Sequence, residues 1–473
     1  MLRTVKATAL LVVVAALGAL VTALPSAALP ALAPARPSAA SASVPSGPAA
    51  AGLGRLPNPV RMSLGGATER AATRAAPLLP SYYLGDDGRL SPVKDQGLYG
   101  TCWAFANIGA LESKLLPDET WDFSEDNLVT RSGFGPFVNG PYQAGGYDAM
   151  AVAYFVRWAG PVNEGDDPYP SSRVPAVNRV QKHVQDVIML PGRATVHDND
   201  LLKQMVVENG ALSVGMYWDG NWFKSTTNAY YRSGPKTYEN HGVCIVGWDD
   251  TYSASNFTVR PPGDGAFIVR NSWGSDWGDG GYFHVSYYDR TFARGDCTSY
   301  ARVDDPGVYQ REYQYDRLGL VQARSFGNAK DPSTASMANR FTAKADGRLV
   351  AVGFYATAGD CTYKVYAGPS LNSLATYTSG TLALPGYHTV DLPSTMTLKQ
   401  DHRFVVAVRL TTPGADPIPL ELPWGGPSPD YATKAWASPG ESFIRSGFKR
   451  WWDVTSFKGL REANVCLKAY TTQ

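Results

Sequence analysis

The pattern of the sequence changes sharply at about residue 304, and this change limits what the chain can fold into. Before it, apolar helical stretches are mixed with strand-like runs. After it, short alternating or β-branched runs recur between turn signals without a convincing helix. A chain of 473 residues is also too long for one ordinary domain. We therefore predict an α+β domain over residues 78–303 and an antiparallel, jelly-roll-like β-sandwich over residues 304–473.

Helices and strands are expected at particular stretches of both domains. Apolar, alanine-rich residues predict a helix over Cys102–Leu116, stopped by Pro117, and further helices over Asp148–Trp158 and Asp200–Asn209. The first domain has strand-like runs in ALSVGMYW, HGVCIVGWD, GAFIVRNSW and GYFHVSYYD. In the second domain the expected strands are RLVAVGFYATA, CTYKVYAG, YHTVDL, RFVVAVRL, IPLEL, SFIRS and NVCLKAY.

The N-terminus has the pattern of an export signal. Arg3 and Lys6 precede an apolar core, and small residues around Ser26 offer a cleavage site, so we predict a signal peptide over residues 1–28. An uncleaved membrane anchor is the alternative, but the apolar run is short for a spanning helix. We expect a secreted, extracellular protein with no stable membrane span after cleavage. Residues 29–77 are dominated by Ala, Pro, Ser and Gly, which predicts a disordered linker or pro-segment.

The composition argues against nucleic acid as a partner. The formal net charge is +1 and charged residues make up 18% of the chain, so no basic surface is indicated. The chain has five cysteines but no CxxC pair, which gives no support to a zinc-ribbon or thioredoxin-like site. No carboxylate cluster has the spacing of a calcium loop. We expect neither a metal nor another cofactor.

One cysteine has the surroundings of a nucleophile. Cys102 follows the Gly-rich approach DQGLYGT and begins the first predicted helix, directly before Trp103. The positive end of a helix macrodipole lowers the pKa of a thiol, and the thiolate is the nucleophilic form. The alternative is a buried thiol that acts as a small hydrophobic side chain.

Partners for such a thiol stand at the ends of strands. His241 heads the apolar strand HGVCIVGWD, where an imidazole can accept the thiol proton and later protonate a leaving amine. Asn271 ends another apolar strand and is suited to hold the imidazole tautomer, with Trp273 shielding that hydrogen bond from water. Gln96, six residues before Cys102, is suited to stabilise an oxyanion together with the Cys102 backbone N–H.

Together these stretches resemble a known family. PVKDQGLYGTCWAF, NHGVCIVGW and RNSWGSDWGDGGYF are similar to the three signature blocks of papain-like cysteine peptidases. His241 lies 139 residues after Cys102, and Asn271 lies 169 after it. The second interval exceeds the family's spacing, and we attribute the excess to an insertion around TYSASNFTVRPPGDG. The resemblance implies a papain-like, two-lobed fold. It also implies that Cys102 is the nucleophile and His241 the acid/base. Asn271 would orient the imidazole, and Gln96 would donate to the oxyanion.

The same resemblance implies a substrate cleft. QAGGYD is similar to the family's glycine pair, in which Gly146 would bond the backbone of an extended substrate. Tyr147 would line the pocket for the side chain that precedes the scissile residue, and Glu239 indicates tolerance of a basic side chain there. The alternative for each position is a turn glycine or ordinary loop surface. The expected substrate-binding residues are Gly145, Gly146, Tyr147, Gly215, Glu239 and Asn240.

The chain departs from the family in its cysteines and in its N-terminal region. The cysteines other than the candidate nucleophile leave three possibilities: a Cys244–Cys297 bridge, a Cys361–Cys466 bridge, or buried free thiols. The region before Pro80 lacks the long, charged, helical character of many inhibitory pro-domains. Inhibition by such a helical plug is therefore not expected.

The second domain resembles, more loosely, the lectin-like β-sandwich appended to some bacterial secreted peptidases of this family. Trp424, Trp451 and Trp452 are candidates for stacking on sugar rings, although most aromatic residues of a sandwich belong to its core. The alternative is a domain that packs on the cleft and shapes substrate access.

These features predict a secreted cysteine peptidase that hydrolyses peptide bonds through a Cys-His-Asn triad and an acyl-enzyme intermediate. Its partners would be protein or peptide substrates, with glycans as a further partner of the C-terminal domain. Two other functions stay open. One is a non-catalytic glycan- or surface-binding protein on a peptidase scaffold, and the other is an amidotransfer or transpeptidase enzyme that uses the same triad.

Overall fold

The computed structural model describes residues 53–66, 77–135, 137, 139–171, 178–235, 238–326, 331–414, 416–423, 435–446 and 450–473. The predicted signal peptide over residues 1–28, much of the segment over residues 29–77, and Trp424 therefore lie outside the described residues. Among the described helices, none combines the length and the apolar character needed to cross a lipid bilayer.

The α-helices of the described residues all lie in the first half of the chain. They are α1 (Cys102–Leu115), α2 (Glu125–Arg131), α3 (Asp148–Val156) and α4 (Asp200–Asn209). The three predicted helices are confirmed as α1, α3 and α4, and α1 ends just before a proline, which cannot continue a helix. The sequence pattern does not predict the short α2, which is capped by the Ser124 hydroxyl accepting from the Asn127 N–H.

Nine strands accompany these helices within the described part of the first domain. They are β1 (Ser81–Tyr83), β2 (His183–Leu190), β3 (Leu212–Met216), β4 (Phe223–Lys224), β5 (Ala229–Tyr230), β6 (His241–Asp249), β7 (Ala266–Arg270), β8 (Tyr282–Ser286) and β9 (Cys297–Asp304). The four strands expected from the sequence are confirmed as β3, β6, β7 and β8. The expected strands do not include β2 or β9, which pair with each other in antiparallel orientation.

Strands alone build the regular structure of the described second domain apart from one short 3₁₀ turn, and every predicted run overlaps at least one of them. They are β10 (Arg311–Tyr313), β11 (Gln322–Arg324), β12 (Thr334–Thr342), β13 (Gly347–Ala356), β14 (Cys361–Ser370), β15 (Ser373–Leu382), β16 (Gly386–Leu398), β17 (Arg403–Thr411), β18 (Ile418–Glu421), β19 (Ser442–Arg445), β20 (Trp452–Asp453), β21 (Asn464–Val465) and β22 (Leu467–Thr472).

Two packed antiparallel sheets form the main part of the described second domain, and β11, β18 and β21 form a third, smaller antiparallel sheet. One has the order β15-β14-β17-β12-β19-β20, and the other contains β10-β22-β13-β16. Aromatic side chains join the two sheets, since the ring of Tyr313 on β10 lies 5.2 Å from the ring of Phe404 on β17. The predicted fold class, an α+β domain followed by an all-β sandwich, is confirmed.

The sheet of the first domain continues into the second. Among the described residues the order is β10-β22-β13-β16-β2-β9-β3-β6-β7-β8-β5-β4, with β1 added on β6. The junction is the antiparallel pairing of β16 with β2, in which Gly386 faces Ile188 and Tyr387 faces Val187. A Cβ on Gly386 would lie 1.9 Å from the carbonyl oxygen of Val187, so this junction requires glycine.

Residues 53–66, hereafter the N-terminal segment, have a defined path, which differs from the disorder expected for residues 29–77. Leu53 and Met62 are buried, and the backbone N–H of Ser63 donates to the carbonyl oxygen of Thr357. The composition of this segment limits only the apolar area that it can bury by itself. Here a folded surface supplies the partner, so the segment is ordered by docking.

All five cysteines are buried and free. Of the possibilities left open by the sequence, the structure therefore has neither bridge. The Cys244 thiol donates instead to the carbonyl oxygen of Ala106, and the Cys466 thiol donates to that of Gly319.

A half-buried lysine fixes the loop that precedes α1. Lys94 Nζ lies 3.1 Å from carboxylate oxygens of both Glu112 on α1 and Glu125 on α2, and 2.7 Å from Asp122. It also donates to the carbonyl oxygen of Phe123 at 2.8 Å. One ammonium thus compensates two almost fully buried carboxylates, because their side chains are only 1% and 2% exposed.

Replacing this lysine will destabilise the fold. Lys94→Met leaves Glu112 and Glu125 without their cation, and we expect the free energy of unfolding to fall by about 3 kcal/mol in chemical denaturation. Lys399→Met is the matched control, because the Lys399–Asp346 pair is exposed and its loss should hardly move the midpoint. Equal midpoints for the two variants would contradict this account of Lys94.

Candidate active site

Cys102 is the first residue of α1, as the sequence predicts. Its side chain is fully buried, and Sγ accepts a hydrogen bond from the backbone N–H of Gly242 at 3.2 Å. Gly242 is the second residue of β6, so this contact brings the thiol to the beginning of that strand, beside His241. A Cβ on Gly242 would press on the Cys102 carbonyl at 3.2 Å, and glycine permits the approach.

His241 and Asn271 are joined through two paired strands, because one begins β6 and the other directly follows β7. Nε2 of His241 lies 2.8 Å from Oδ1 of Asn271. The Trp273 indole stacks on the imidazole with ring centroids 4.7 Å apart and excludes water from this side. Since the amide oxygen can only accept, Nε2 carries the proton and Nδ1 is the acceptor of the neutral ring. Nδ1 is buried and has no hydrogen-bond partner among the described residues.

Gln96 lies in the loop before α1 and is fully buried. Its Nε2 donates to the carbonyl oxygen of Tyr99 at 2.7 Å, and its Oε1 accepts from the Ser272 hydroxyl at 2.6 Å. The backbone N–H of Ser272 also donates to Oδ1 of Asn271 at 2.9 Å. Ser272 therefore connects the two side-chain amides and holds both in fixed orientations.

The N-terminal segment runs along the residues that the resemblance assigns to the substrate cleft. The N–H groups of Gly54 and Arg55 both donate to the carbonyl oxygen of Asn240, at 3.0 and 3.1 Å. On the other side, the Gly146 N–H donates to the Gly54 carbonyl and the Leu56 N–H donates to the Gly146 carbonyl, both at 2.8 Å. The chain's own segment is thus bonded to both walls of the cleft.

Glycines allow this close approach. A Cβ on Gly54 would lie 2.0 Å from the carbonyl oxygen of Gly100, and one on Gly145 would lie 2.6 Å from the carbonyl oxygen of Gly54. A Cβ on Gly146 would lie 2.4 Å from the indole of Trp103. The predicted glycine pair and Trp103 therefore shape a wall against which only a bare backbone fits.

The side chain of Arg55 fills an acidic pocket beside this wall. Its Nη1 and Nη2 donate to the two carboxylate oxygens of Asp148 at 2.6 and 2.9 Å, and its Nε lies 3.8 Å from Oε2 of Glu239. The side chains of Arg55 and Asp148 are 2% and 0% exposed. Burial alone would lower the pKa of Arg55, but the charges of Asp148 and Glu239 outweigh it and raise that pKa.

Burial also sets the protonation of the thiol and the imidazole. It raises the pKa of Cys102, and hydrogen bonds from the backbone N–H groups of Gly242 and Gly54 offset only part of this effect. It lowers the pKa of His241 to about 4, although the bond to Asn271 acts in the opposite direction. Both groups are therefore neutral at pH 7, whereas the sequence predicts a thiol of lowered pKa. The difference arises because the thiol is shut off from water in this form of the chain.

The remaining predicted cleft residues differ in their contacts. Tyr147 is buried, with its ring 5.9 Å from that of Phe134. Asn240 offers its backbone carbonyl to the segment, while its side-chain amide bonds the backbone of Trp218. Gly215 makes room for Glu239, because a Cβ there would lie 1.9 Å from the Glu239 carboxylate.

Neither Arg55 nor Asp148 is among the site residues predicted from the sequence. Arg55 belongs to the stretch whose composition predicts disorder, and Asp148 is interpreted only as the start of a helix. An acidic residue directly after the glycine pair and Tyr147, in QAGGYD, is the signal from which Asp148 could have been identified.

Two of the tryptophans proposed for sugar stacking are placed in the second domain. The guanidinium of Arg445 lies 4.6 Å from the ring of Trp451, and that of Arg450 lies 3.8 Å from the ring of Trp452. Each indole therefore already has a cation on a face, a favourable contact for an aromatic ring.

Two known protein families match separate parts of the chain. Residues 83–301 match the family described as "Papain family cysteine protease". They form a papain-family domain. Residues 313–471 match the family described as "Lectin like domain", so a lectin-like domain follows the papain-family domain.

Among curated proteins, the papain-family domain is 33% identical over 207 residues to "Probable cysteine protease RD21C" of Arabidopsis thaliana, covering 42% of this chain. It is 31% identical over 205 residues to "Falcipain-3" of Plasmodium falciparum, again covering 42%. The chain spans 41% and 39% of the length of these two relatives, respectively.

Both domains together resemble solved structures of the clostridial cysteine protease Cwp84. The form after propeptide cleavage has a TM-score of 0.73 and 27% identity, covering 83% of this chain and 99% of that one. A structure of the cysteine protease and lectin-like domains of Cwp84, described as a surface layer associated protein of Clostridium difficile, has a TM-score of 0.72 and 26% identity. It covers 84% of this chain and 90% of that one.

Displacing the N-terminal segment will expose the thiol. In Gly54→Ala the new Cβ meets the Gly100 carbonyl, so the full-length variant should react with iodoacetamide at Cys102 about 10- to 100-fold faster than the unchanged chain. The rate is measured by mass spectrometry of the Cys102 peptide. Gly165→Ala is the control, because a Cβ there meets nothing within 4 Å. An unchanged rate in Gly54→Ala would show that the segment does not cover the thiol.

Proposed function

We propose that the chain is a secreted cysteine peptidase that hydrolyses peptide bonds through Cys102, His241 and Asn271. The observation that carries this proposal is the oriented imidazole. Asn271 fixes its Nε2, its Nδ1 is left without a partner among the described residues, and the Cys102 thiol lies at the start of the same strand. The relationship of the domain to papain-family proteases supports the same assignment.

In the proposed mechanism, Nδ1 of His241 takes the thiol proton and the Cys102 sulfur attacks the carbonyl carbon of the scissile peptide. The Cys102 backbone N–H and Nε2 of Gln96 donate to the oxyanion that forms. The imidazolium then protonates the leaving amine, which leaves an acyl-enzyme. Water, deprotonated by the same imidazole, releases the acid product and restores the thiol.

In this proposal the N-terminal segment is an inhibitory pro-segment that must leave the cleft before a substrate enters. Arg55 of the segment forms a parallel bridge with Gly146, and the segment runs from the thiol toward Gly146. A substrate whose acyl side lies along Gly146 runs in the opposite direction, so its scissile carbonyl faces Cys102. In the segment, the Gly54 carbonyl is bonded to the Gly146 N–H instead, and it is the Gly54 N–H that faces the thiol. A Cwp84 structure described as following propeptide cleavage supports this reading.

Secretion is proposed from the N-terminal sequence. The similarity to Cwp84, a surface layer associated protein, supports an extracellular place of action. Proteins or peptides in extended conformation are the proposed substrates, because the backbones of Gly146 and Asn240 offer strand-like hydrogen bonds on opposite sides of the cleft.

The nucleophile is tested by comparing two buried thiols. In the full chain carrying Gly54→Ala, Cys102→Ala should reduce the hydrolysis of casein to background, whereas Cys244→Ala should retain it, because Cys244 only donates to a backbone carbonyl. An epoxysuccinyl inhibitor should label the Cys102 peptide alone. Casein hydrolysis that survives Cys102→Ala would refute the proposal.

The oxyanion donor is tested separately. In the same background, Gln96→Ala should lower kcat by about 100- to 1000-fold with little change in KM, because the lost hydrogen bond forms mainly in the transition state. Gln204→Ala is the control, since among the described residues that side chain bonds Glu208 alone, on the surface of α4. A change confined to KM would assign Gln96 to substrate binding instead.

A further inference from the structure

The pocket that holds Arg55 is built for a guanidinium. Besides the paired bonds to Asp148, Nη2 of Arg55 donates to the carbonyl oxygen of Asp296 at 3.1 Å. A planar fork that reaches two carboxylate oxygens and a carbonyl is characteristic of arginine, since an ammonium cannot match it.

The carboxylate of Asp148 belongs to the folded domain rather than to the segment. It accepts hydrogen bonds from the Asn107 amide at 2.7 Å, the Thr298 hydroxyl at 2.9 Å and the Ser213 hydroxyl at 3.2 Å. Within the described residues, Arg55 is the only basic side chain within ion-pair distance of it. When the segment leaves, a fixed and negatively charged group stays behind with no cation of its own.

Glu239 adds a second carboxylate to the same pocket. The backbone N–H of Arg294 donates to its Oε1 at 3.2 Å, and the N–H of Gly295 donates to the same oxygen. Its Oε2 is turned toward Arg55. The absence of a Cβ at Gly215 and Gly295 provides the space for this carboxylate, because added Cβ atoms would lie 1.9 and 2.6 Å from Oε2.

The side chain of Arg55 marks where a substrate side chain will lie. Arg55 stands between the two backbone hydrogen bonds that its neighbours make with Gly146. A substrate residue bonded to Gly146 occupies the same place whichever way the chain runs. Gly54, the residue next to Arg55, lies against the Cys102 thiol, so in the proposed function a substrate residue in the place of Arg55 is the second before the scissile bond.

We propose that Asp148 and Glu239 make this peptidase selective for arginine at the second residue before the scissile bond, an inference that rests on the proposed function. Arginine restores the paired bonds that Arg55 makes. Lysine supplies the charge without the fork, so it binds less well. Leucine leaves buried carboxylates uncompensated, and glutamate adds a repelling charge, so both are disfavoured.

The test uses the full chain carrying Gly54→Ala and four fluorogenic peptides that differ only at that position, with Arg, Lys, Leu or Glu. We expect kcat/KM for the Arg peptide to exceed that for the Leu peptide by about 100-fold, from two charge-assisted hydrogen bonds. Lys should be intermediate and Glu lowest. Adding Glu239→Gln should lower the Arg-to-Leu ratio about tenfold, because one of the two carboxylates of the pocket loses its charge. Adding Glu208→Gln, which changes an exposed glutamate on α4, should leave the ratio unchanged.

Labelling of Cys102 by the epoxysuccinyl inhibitor separates the two proposals. If Cys102 is labelled and all four peptides are cut at similar rates, the selectivity is refuted and the peptidase function stands. If Cys102 is labelled by iodoacetamide but no peptide or casein is cut, the proposed function is refuted and the selectivity with it.

A second measurement needs no turnover and no Glu239 variant. In the otherwise unchanged full chain, Arg55→Leu should raise the rate of Cys102 labelling by iodoacetamide about tenfold or more, and Arg55→Lys should raise it less. If Arg55→Leu labels no faster than the unchanged chain, the pocket does not prefer a guanidinium and the proposal is overturned.

Discussion

The buried carboxylate of Asp148 is the charge around which the first domain and its N-terminal segment are assembled. It accepts from Asn107 on α1, Ser213 on β3 and Thr298 on β9, and it pairs with Arg55. A carboxylate removed from water is costly unless polar groups and an opposite charge compensate it. One side chain therefore ties a helix, two strands and the segment to each other, and the arrangement is complete only while a cation occupies the pocket.

The N-terminal segment, which Arg55 anchors, also keeps the thiol and the imidazole uncharged. Because the segment lies across the cleft, burial raises the pKa of Cys102 and lowers that of His241, and both groups stay uncharged at pH 7. The hydrogen-bonded frame of Gln96, Ser272 and Asn271 is nevertheless already in place beneath the segment. The frame of the site is thus assembled while the segment still lies across it.

Local patterns in the sequence predict much of this molecule. Cys102, His241 and Asn271 are recognisable because each stands at the end of a regular element, and the strands of the second domain are recognisable by their alternation. The pocket is different. Arg55 and Asp148 are 93 positions apart, and no local pattern encodes a pairing at that separation. The order of the N-terminal segment could not be predicted for the same reason, because its stabilising surface lies elsewhere in the chain. That all cysteines are unpaired also depends on three-dimensional distances rather than on their number.

The junction at Gly386 and Tyr387 has a consequence for how the chain comes apart. Since β16 continues the hydrogen-bonded ladder of β2, the two domains share a sheet rather than merely touching. Separating the two domains would leave unpaired backbone N–H and C=O groups on both sides, and such groups are costly away from water. We therefore expect loss of one half to weaken the other, so that heating produces a single cooperative transition instead of two.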